Sequence, residues 1–151
     1  MNNFIGDEMV KKILFICSGN MGRSPIAEAL FNKIANDDFI ASSAGTNTKN
    51  GRLAGPDTIK IMREYGIDLS KHKTRQLDEN MLKESDYVIC MGKNHLEFLL
   101  NNFPKYKDKY STLREIDIAD PYKAKYEVYK IVANDIEKGI EGFLSKIAKK
   151  D

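Results

Sequence analysis

A three-layer α/β fold is what this sequence predicts, and two apolar runs and one alternation of patterns predict it. Ile13, Leu14, Phe15 and Ile16 form an unbroken apolar run, and Tyr87 to Met91 forms another. Runs of this kind, without polar alternation, suit strands buried on both faces of a sheet. Between and after them lie segments whose apolar residues recur at helical spacing, so strands alternate with helices. That alternation implies a parallel sheet covered on both faces through right-handed crossovers. The expectation is a flavodoxin-like sandwich with a four-stranded parallel sheet in the order 2-1-3-4. In such sheets ligands bind beyond the C-terminal strand ends where the order reverses, and strand one lies at that point.

Each element has its own signal. Residues 1–10 carry no motif and read as a flexible N-terminal arm; residues 11–151 are the length of a single ordinary domain. After strand one, Ser24-Pro25 is a helix start, because serine can cap and proline fits the first helical position. Ile26, Ala27, Leu30, Phe31 and Ile34 then recur on one helical face. Asn36-Asp37-Asp38 is a turn, Phe39 to Ala44 a strand ended by Gly45, and Thr46 to Gly55 a polar, mobile loop. Gly55-Pro56-Asp57 opens a helix that turns Ile59 and Met62 inward and closes at Gly66. The charged run Lys71 to Arg75 reads as a solvated face, with a minor role in attracting anionic substrates as the alternative.

A short helix is predicted over Asp78 to Lys83, and a third strand over Tyr87 to Met91. Lys93 to Phe103 places Leu96, Leu99, Leu100 and Phe103 on one helical face, and Pro104 ends it. Tyr110 to Leu113 is a short fourth strand, and Arg114 to Lys123 a loop carrying Asp117 and Asp120. A long amphipathic helix follows over Tyr126 to Ile147. Gly139 and Gly142 weaken it by up to ~1 kcal/mol each, which points to a close packing contact. Lys146, Lys149 and Lys150 suit the negative end of the helix dipole, so the tail needs no nucleic-acid partner.

The chemistry concentrates in Cys17, Ser18, Gly19, Asn20, Met21, Gly22, Arg23 and Ser24, between the first strand and the first helix. Backbone N–H groups at a helix N-terminus, with the positive end of its dipole, favour an anion. A thiol held there is expected to ionise readily and act as a nucleophile. Arg23, separated from the thiol by five residues, brings a rigid fork of donors suited to two phosphoryl oxygens. Gly19 and Gly22 permit inward-pointing N–H groups, and Asn20 tolerates a left-handed backbone. The stretch therefore reads as a phosphate cradle; a buried cysteine in a tight turn beside a surface arginine is the alternative.

Bulk properties narrow the class. A net charge of +2 with 30% charged residues fits a globular chain, and no apolar run is long enough to span a membrane. The first ten residues lack the basic start and apolar core of a secretory signal, so a cytoplasmic location is expected. Cys17 and Cys90 are the only cysteines, and pairing Cys17 would abolish the nucleophile, which argues against a disulfide framework. His72 and His95 stand too far from further ligand residues to suggest a metal site. No metal or other cofactor, no nucleic acid and no membrane is expected, and the chain is read as a monomer.

The stretch Cys17 to Ser24 resembles the Cys-x5-Arg-Ser signature of the low-molecular-weight protein tyrosine phosphatase family. Asp120-Pro121-Tyr122 resembles that family's general-acid motif, and Ser43-Ala44-Gly45-Thr46 and Tyr87 to Met91 resemble family segments in the same order. The resemblance runs from Lys12 to about Ile147. It implies a phosphatase in which Cys17 attacks phosphorus and Arg23 clamps the oxygens. In the second step water attacks the phosphocysteine. Asp120 is the implied general acid. Asp117 is the competitor in the same loop, and apart from the resemblance Asp120 reads equally well as a loop cap. Ser24 is implied to donate to the thiolate, a role compatible with capping. Ser18, Gly19, Asn20, Met21, Gly22 and Tyr122 complete the implied substrate-binding set. The expected substrate is a phosphorylated protein, and inorganic phosphate the product.

Three departures bear on substrate and redox behaviour. Gly22 stands where many members carry a second loop cysteine that protects the nucleophile as a disulfide, and Gly92 where many tyrosine-specific members carry aspartate. Met91 to His95 and Phe103 to Tyr110 are similar to the bacterial branch that includes protein arginine phosphatases. That branch places threonine at the position of Met21, whereas an apolar residue there favours an aromatic phosphoester. Phosphotyrosine is therefore the expected substrate group, with phosphoarginine the alternative. A thiol-dependent arsenate reductase shares the loop but needs a relay of further cysteines, and only Cys90 is available. A non-catalytic phosphate-binding module would need neither Cys17 nor Asp120.

Overall fold

The structure, a computed structural model, describes residues 10–150. The arm expected over residues 1–10 lies, except for Val10, outside the described residues. Four strands, β1 (Lys11–Cys17), β2 (Phe39–Gly45), β3 (Tyr87–Cys90) and β4 (Tyr110–Thr112), form a parallel sheet in the order β2-β1-β3-β4. The predicted topology is the observed one. Cys17 pairs in register with Gly45, so both strands stop at the same edge, the one beyond which ligands bind.

Five α-helices cover the two faces: α1 (Arg23–Ile34), α2 (Pro56–Glu64), α3 (Glu79–Glu84), α4 (Lys93–Asn102) and α5 (Tyr126–Lys150). Side chains alternate across β1 with the period of two that a strand imposes. Ile13, Phe15 and Cys17 point to the layer containing Phe31 of α1 and Val132 and Ile136 of α5. Leu14 and Ile16 point the other way, to Leu82 of α3 and Leu99 of α4. Phe15 and Phe31 are wholly buried and meet edge to face at 5.8 Å. Burying each such ring is worth about 1.5 to 3 kcal/mol, which ties α1 and the loop before it to the strand that carries Cys17.

Several boundaries differ from expectation for local reasons. The residue flanking the start of α1 is Gly22, without a side-chain cap, so Ser24 lies inside the first turn and is not the N-cap. Its hydroxyl has been drawn to the sulfur of Cys17 instead. Helix α2 buries Thr58, Ile61 and Met62, leaving Ile59 partly exposed. Gly66 closes it as expected, at φ 77°, a backbone region that suits glycine. Helix α4 buries His95 and Leu99, whereas Leu100 is 42% exposed, so its inner face is turned toward His95 relative to the leucine pattern. A 3-10 turn over Pro104–Lys109 continues where α4 stops. On α5, a Cβ at Gly139 would fall 2.5 Å from Leu113 Cγ, so that glycine marks the close contact its sequence position implied. Gly142 has open space around it and no packing reason.

Candidate active site

Residues 17–23 leave β1 and curl into the N-terminus of α1. Cys17 Sγ lies 2.9 Å from Ser24 Oγ and receives the backbone N–H of Asn20 at 3.3 Å. Asn20 adopts the left-handed backbone expected of it, φ 57°, but its side chain turns away from the sulfur into the protein and is wholly buried. There it organises the loop. Its Oδ1 accepts the Arg75 N–H at 2.9 Å, which fixes the amide's orientation, because a backbone N–H can only donate. Its Nδ2 must then donate to Ser24 Oγ at 2.8 Å and Ser43 Oγ at 2.9 Å.

Proton directions follow from that anchor. Ser43 gives its own proton to Glu28 Oε1 at 2.6 Å. Ser24, already accepting from Asn20, is left to donate to Cys17 Sγ. The backbone carbonyl of Asn20 accepts from His72 Nε2 at 2.9 Å, so His72 carries its proton on that nitrogen. The second strand supports the loop from below. Thr46 N–H donates to Cys17 O and Asn47 N–H to Ser18 O, and a Cβ at Gly45 would come 2.5 Å from Ser18 O. Only glycine lets β2 end that close to the loop.

Arg23 is held over the loop, 9% exposed, by a hydrogen bond from one guanidinium nitrogen to Ile118 O at 3.1 Å. Its other terminal nitrogen lies 3.7 Å from Asp120 Oδ2. Asp120 is exposed, and its Oδ1 accepts the Tyr122 N–H. Cys17, Ser18, Gly19, Met21, Gly22, Arg23, Asp120 and Tyr122 line one cleft of about 430 Å³. Asp57 and Tyr129 also face it. A larger groove, about 570 Å³, runs between β4 and the C-terminal half of α5, away from Cys17.

A family model described as low molecular weight phosphotyrosine protein phosphatase matches residues 12–151. The chain belongs to that family. A protein-arginine-phosphatase of Bacillus subtilis is 32% identical, over 92% of this chain and 97% of its own. The solved arginine phosphatase of Geobacillus stearothermophilus superposes with a TM-score of 0.88 at 30% identity, covering 93% of this chain and 94% of its own. A solved low molecular weight protein tyrosine phosphatase of T. tengcongensis gives 0.86 at 36% identity, covering 90% and 99%. Relatives of both names are thus similar to this low-molecular-weight phosphatase over nearly its whole length.

Of the residues singled out in the sequence, Asn20 and Ser24 support the loop from behind, and the others share the cleft. Asp117 is elsewhere: its Oδ1 caps the first N–H of α4, at Lys93, at 3.0 Å. That carboxylate lies 3.3 to 3.4 Å from where a Cβ at Gly92 would be, so it occupies the space beside the glycine. The run Lys71 to Arg75 is not simply a solvated face, since His72 and Arg75 bond Asn20 and Thr74 is 1% exposed. His95 was missed as well. It is 1% exposed, and its Nε2 lies 3.0 Å from Ser18 Oγ. Cys90 sits in register with Ile16, on the sheet face opposite Cys17, and burial pushes its thiol up to about 12. Among the described residues no helix is long and apolar enough to cross a membrane.

Proposed function

We propose that this chain hydrolyses phosphotyrosine in proteins through a phosphocysteine formed on Cys17. What supports the reading is one cleft that holds a thiol, a guanidinium and a carboxyl group, from Cys17, Arg23 and Asp120. In the first step the Cys17 sulfur attacks phosphorus, the S–P bond forms, and the ester P–O bond breaks in line. Arg23 and the N–H groups of the loop, including those of Ser18, Gly19, Met21 and Gly22, hold the three equatorial oxygens. Asp120 gives its proton to the leaving phenolate, then takes one from the water that attacks phosphorus in the second step. The S–P bond breaks, and Ser24 stabilises the returning thiolate. Asp120 is favoured over Asp117 because the latter is occupied as a helix cap outside the cleft.

The preference for an aryl phosphate rests on Met21, which lines the cleft together with Pro56, Tyr122 and Tyr129. A thioether packs well on an aromatic ring but offers only a weak acceptor to a guanidinium, whose N–H groups cost about 1 to 3 kcal/mol when buried unpaired. Phosphoarginine is the second reading, favoured by the Bacillus subtilis relative and by the carboxylate of Asp57 in the same cleft. A thiol relay of the arsenate-reductase kind finds no support, because Cys90 faces the other side of the sheet. A non-catalytic module would leave Cys17 and Asp120 without a task. The enzyme is read as a cytoplasmic monomer acting on phosphorylated protein, releasing inorganic phosphate and using neither cofactor nor metal.

Hydrolysis of phosphotyrosine and phosphoarginine compared side by side is the test. Phosphotyrosine is expected to be preferred by about tenfold to a hundredfold in kcat/KM, and Met21→Thr should narrow or reverse that preference without abolishing activity. Faster turnover of phosphoarginine by the natural sequence would overturn the aryl assignment. No hydrolysis of either would overturn the phosphatase reading itself.

A further inference from the structure

We propose that His95 is a positioning residue of the phosphate loop: protonated on Nε2, it donates to Ser18 Oγ and so turns the Ser18 hydroxyl proton into the cleft as an added donor to the phosphoryl group. This rests on the phosphatase reading above. Three observations carry it. His95 Nε2 lies 3.0 Å from Ser18 Oγ, while Nδ1 is buried with no hydrogen-bond partner. Ser18 itself lines the cleft beside Cys17 and Arg23. And His95 stands in the first turn of α4, at the positive end of that helix's dipole, where Asp117 caps the Lys93 N–H.

Two neutral tautomers fit the 3.0 Å contact, and they have opposite consequences for an anion. With the proton on Nδ1, a buried N–H would be orphaned, Ser18 would donate to the ring, and only its lone pairs would face the phosphoryl oxygens. With the proton on Nε2, the orphan is a lone pair and Ser18 keeps its proton for the substrate. Buried orphaned N–H groups are the rarer and costlier case, and a helix N-terminus favours a lone pair over a donor. The ring stays neutral because burial, and then the Arg23 charge, lower it to about 4 against the opposing pull of Asp117 and Asp120. A neutral ring is what permits the choice of tautomer, since an imidazolium would leave Nδ1–H orphaned as well.

Long-range proton–nitrogen NMR spectra of the natural sequence at pH 7 test the tautomer directly, with Nε2 expected protonated and Nδ1 not. Titration calorimetry with inorganic phosphate tests the consequence. Ser18→Ala and His95→Leu should each raise the phosphate Kd by about tenfold, the double variant should be no worse than either, and His95→Gln should recover most of the loss through its side-chain N–H. A proton on Nδ1, an imidazolium, unchanged Kd values or losses that add would each overturn the proposal. If His95→Leu does not fold, the tautomer and the Ser18→Ala value decide. A protein that binds phosphate through this pair yet hydrolyses no phosphoester would break the phosphatase reading and leave the positioning role standing.

Discussion

The loop at residues 17–23 and the loop at residues 114–125 meet in one cleft, yet they are held in opposite ways. Each contains a non-glycine residue at positive φ, Asn20 at 57° and Lys123 at 65°. Asn20 is wholly buried; it donates to Ser24 and Ser43 and accepts from His72 and Arg75. Lys123 lies exposed in a loop tied down by a few contacts, among them Asp120 to the Tyr122 N–H and the Arg23 guanidinium to Ile118 O. A strained backbone persists where its surroundings over-determine it, and the first loop is over-determined while the second is not. The difference matches the tasks proposed for them. Oxyanion donors are effective when they need no reorganisation, whereas a general acid must adapt to leaving groups of different shape.

The largest effect should come from removing the nucleophile on the rigid side. Cys17→Ser is expected to abolish turnover of nitrophenyl phosphate while phosphate still binds in calorimetry; residual turnover near that of the natural sequence would break the assignment. In the other loop, Asp120→Asn should lower kcat by about 10²- to 10⁴-fold with phenyl phosphate and by less with nitrophenyl phosphate, whose phenolate leaves unaided. A loss of equal size across leaving groups would count against the acid role, and a leaving-group-dependent loss in Asp117→Asn would move that role there.

The two left-handed residues give the sharpest contrast. Asn20→Ala strands Ser24, Ser43 and the Arg75 N–H and puts a methyl group at positive φ, so urea denaturation should show a loss of about 2 to 4 kcal/mol. A buried histidine adds a pH-dependent component. His95 is held near 4 in the folded state, below its ordinary 6.5, so between those values the unfolded chain binds the extra proton. Stability should therefore fall as pH drops from about 6.5 toward 4, and His95→Gln should flatten that part of the profile measured by thermal melts. Smallest of all, Lys123→Gly should shift stability by less than about 1 kcal/mol in either direction, because relief of strain is offset by a freer unfolded chain. A Lys123 effect as large as that of Asn20 would erase the contrast between the loops.

By itself the sequence determined the sheet, its order, and the stretch proposed to carry the chemistry. Those features are written in local patterns: the apolar run Ile13 to Ile16 and the Cys17 to Ser24 stretch that joins strand to helix. Patterns of that kind are short in sequence because a strand, a turn and a helix start are each built from neighbouring residues. Tertiary structure alone decided how the loop is supported. His72, Ser43, Arg75 and His95 come to the loop from 23 to 77 residues away in contacts with Asn20 and Ser18, and each alone reads as an ordinary polar residue. Gly45 looked like the end of a strand, but its lack of a side chain is required by Ser18 O across the sheet edge. Asp117 and Asp120, three residues apart, could not be told apart by type; the path of the chain sent one to the start of α4 and the other to Arg23. Hydrogen bonds between distant side chains depend on orientation to within tenths of an ångström, and packing of the whole sheet and its helices sets that orientation, not any local pattern.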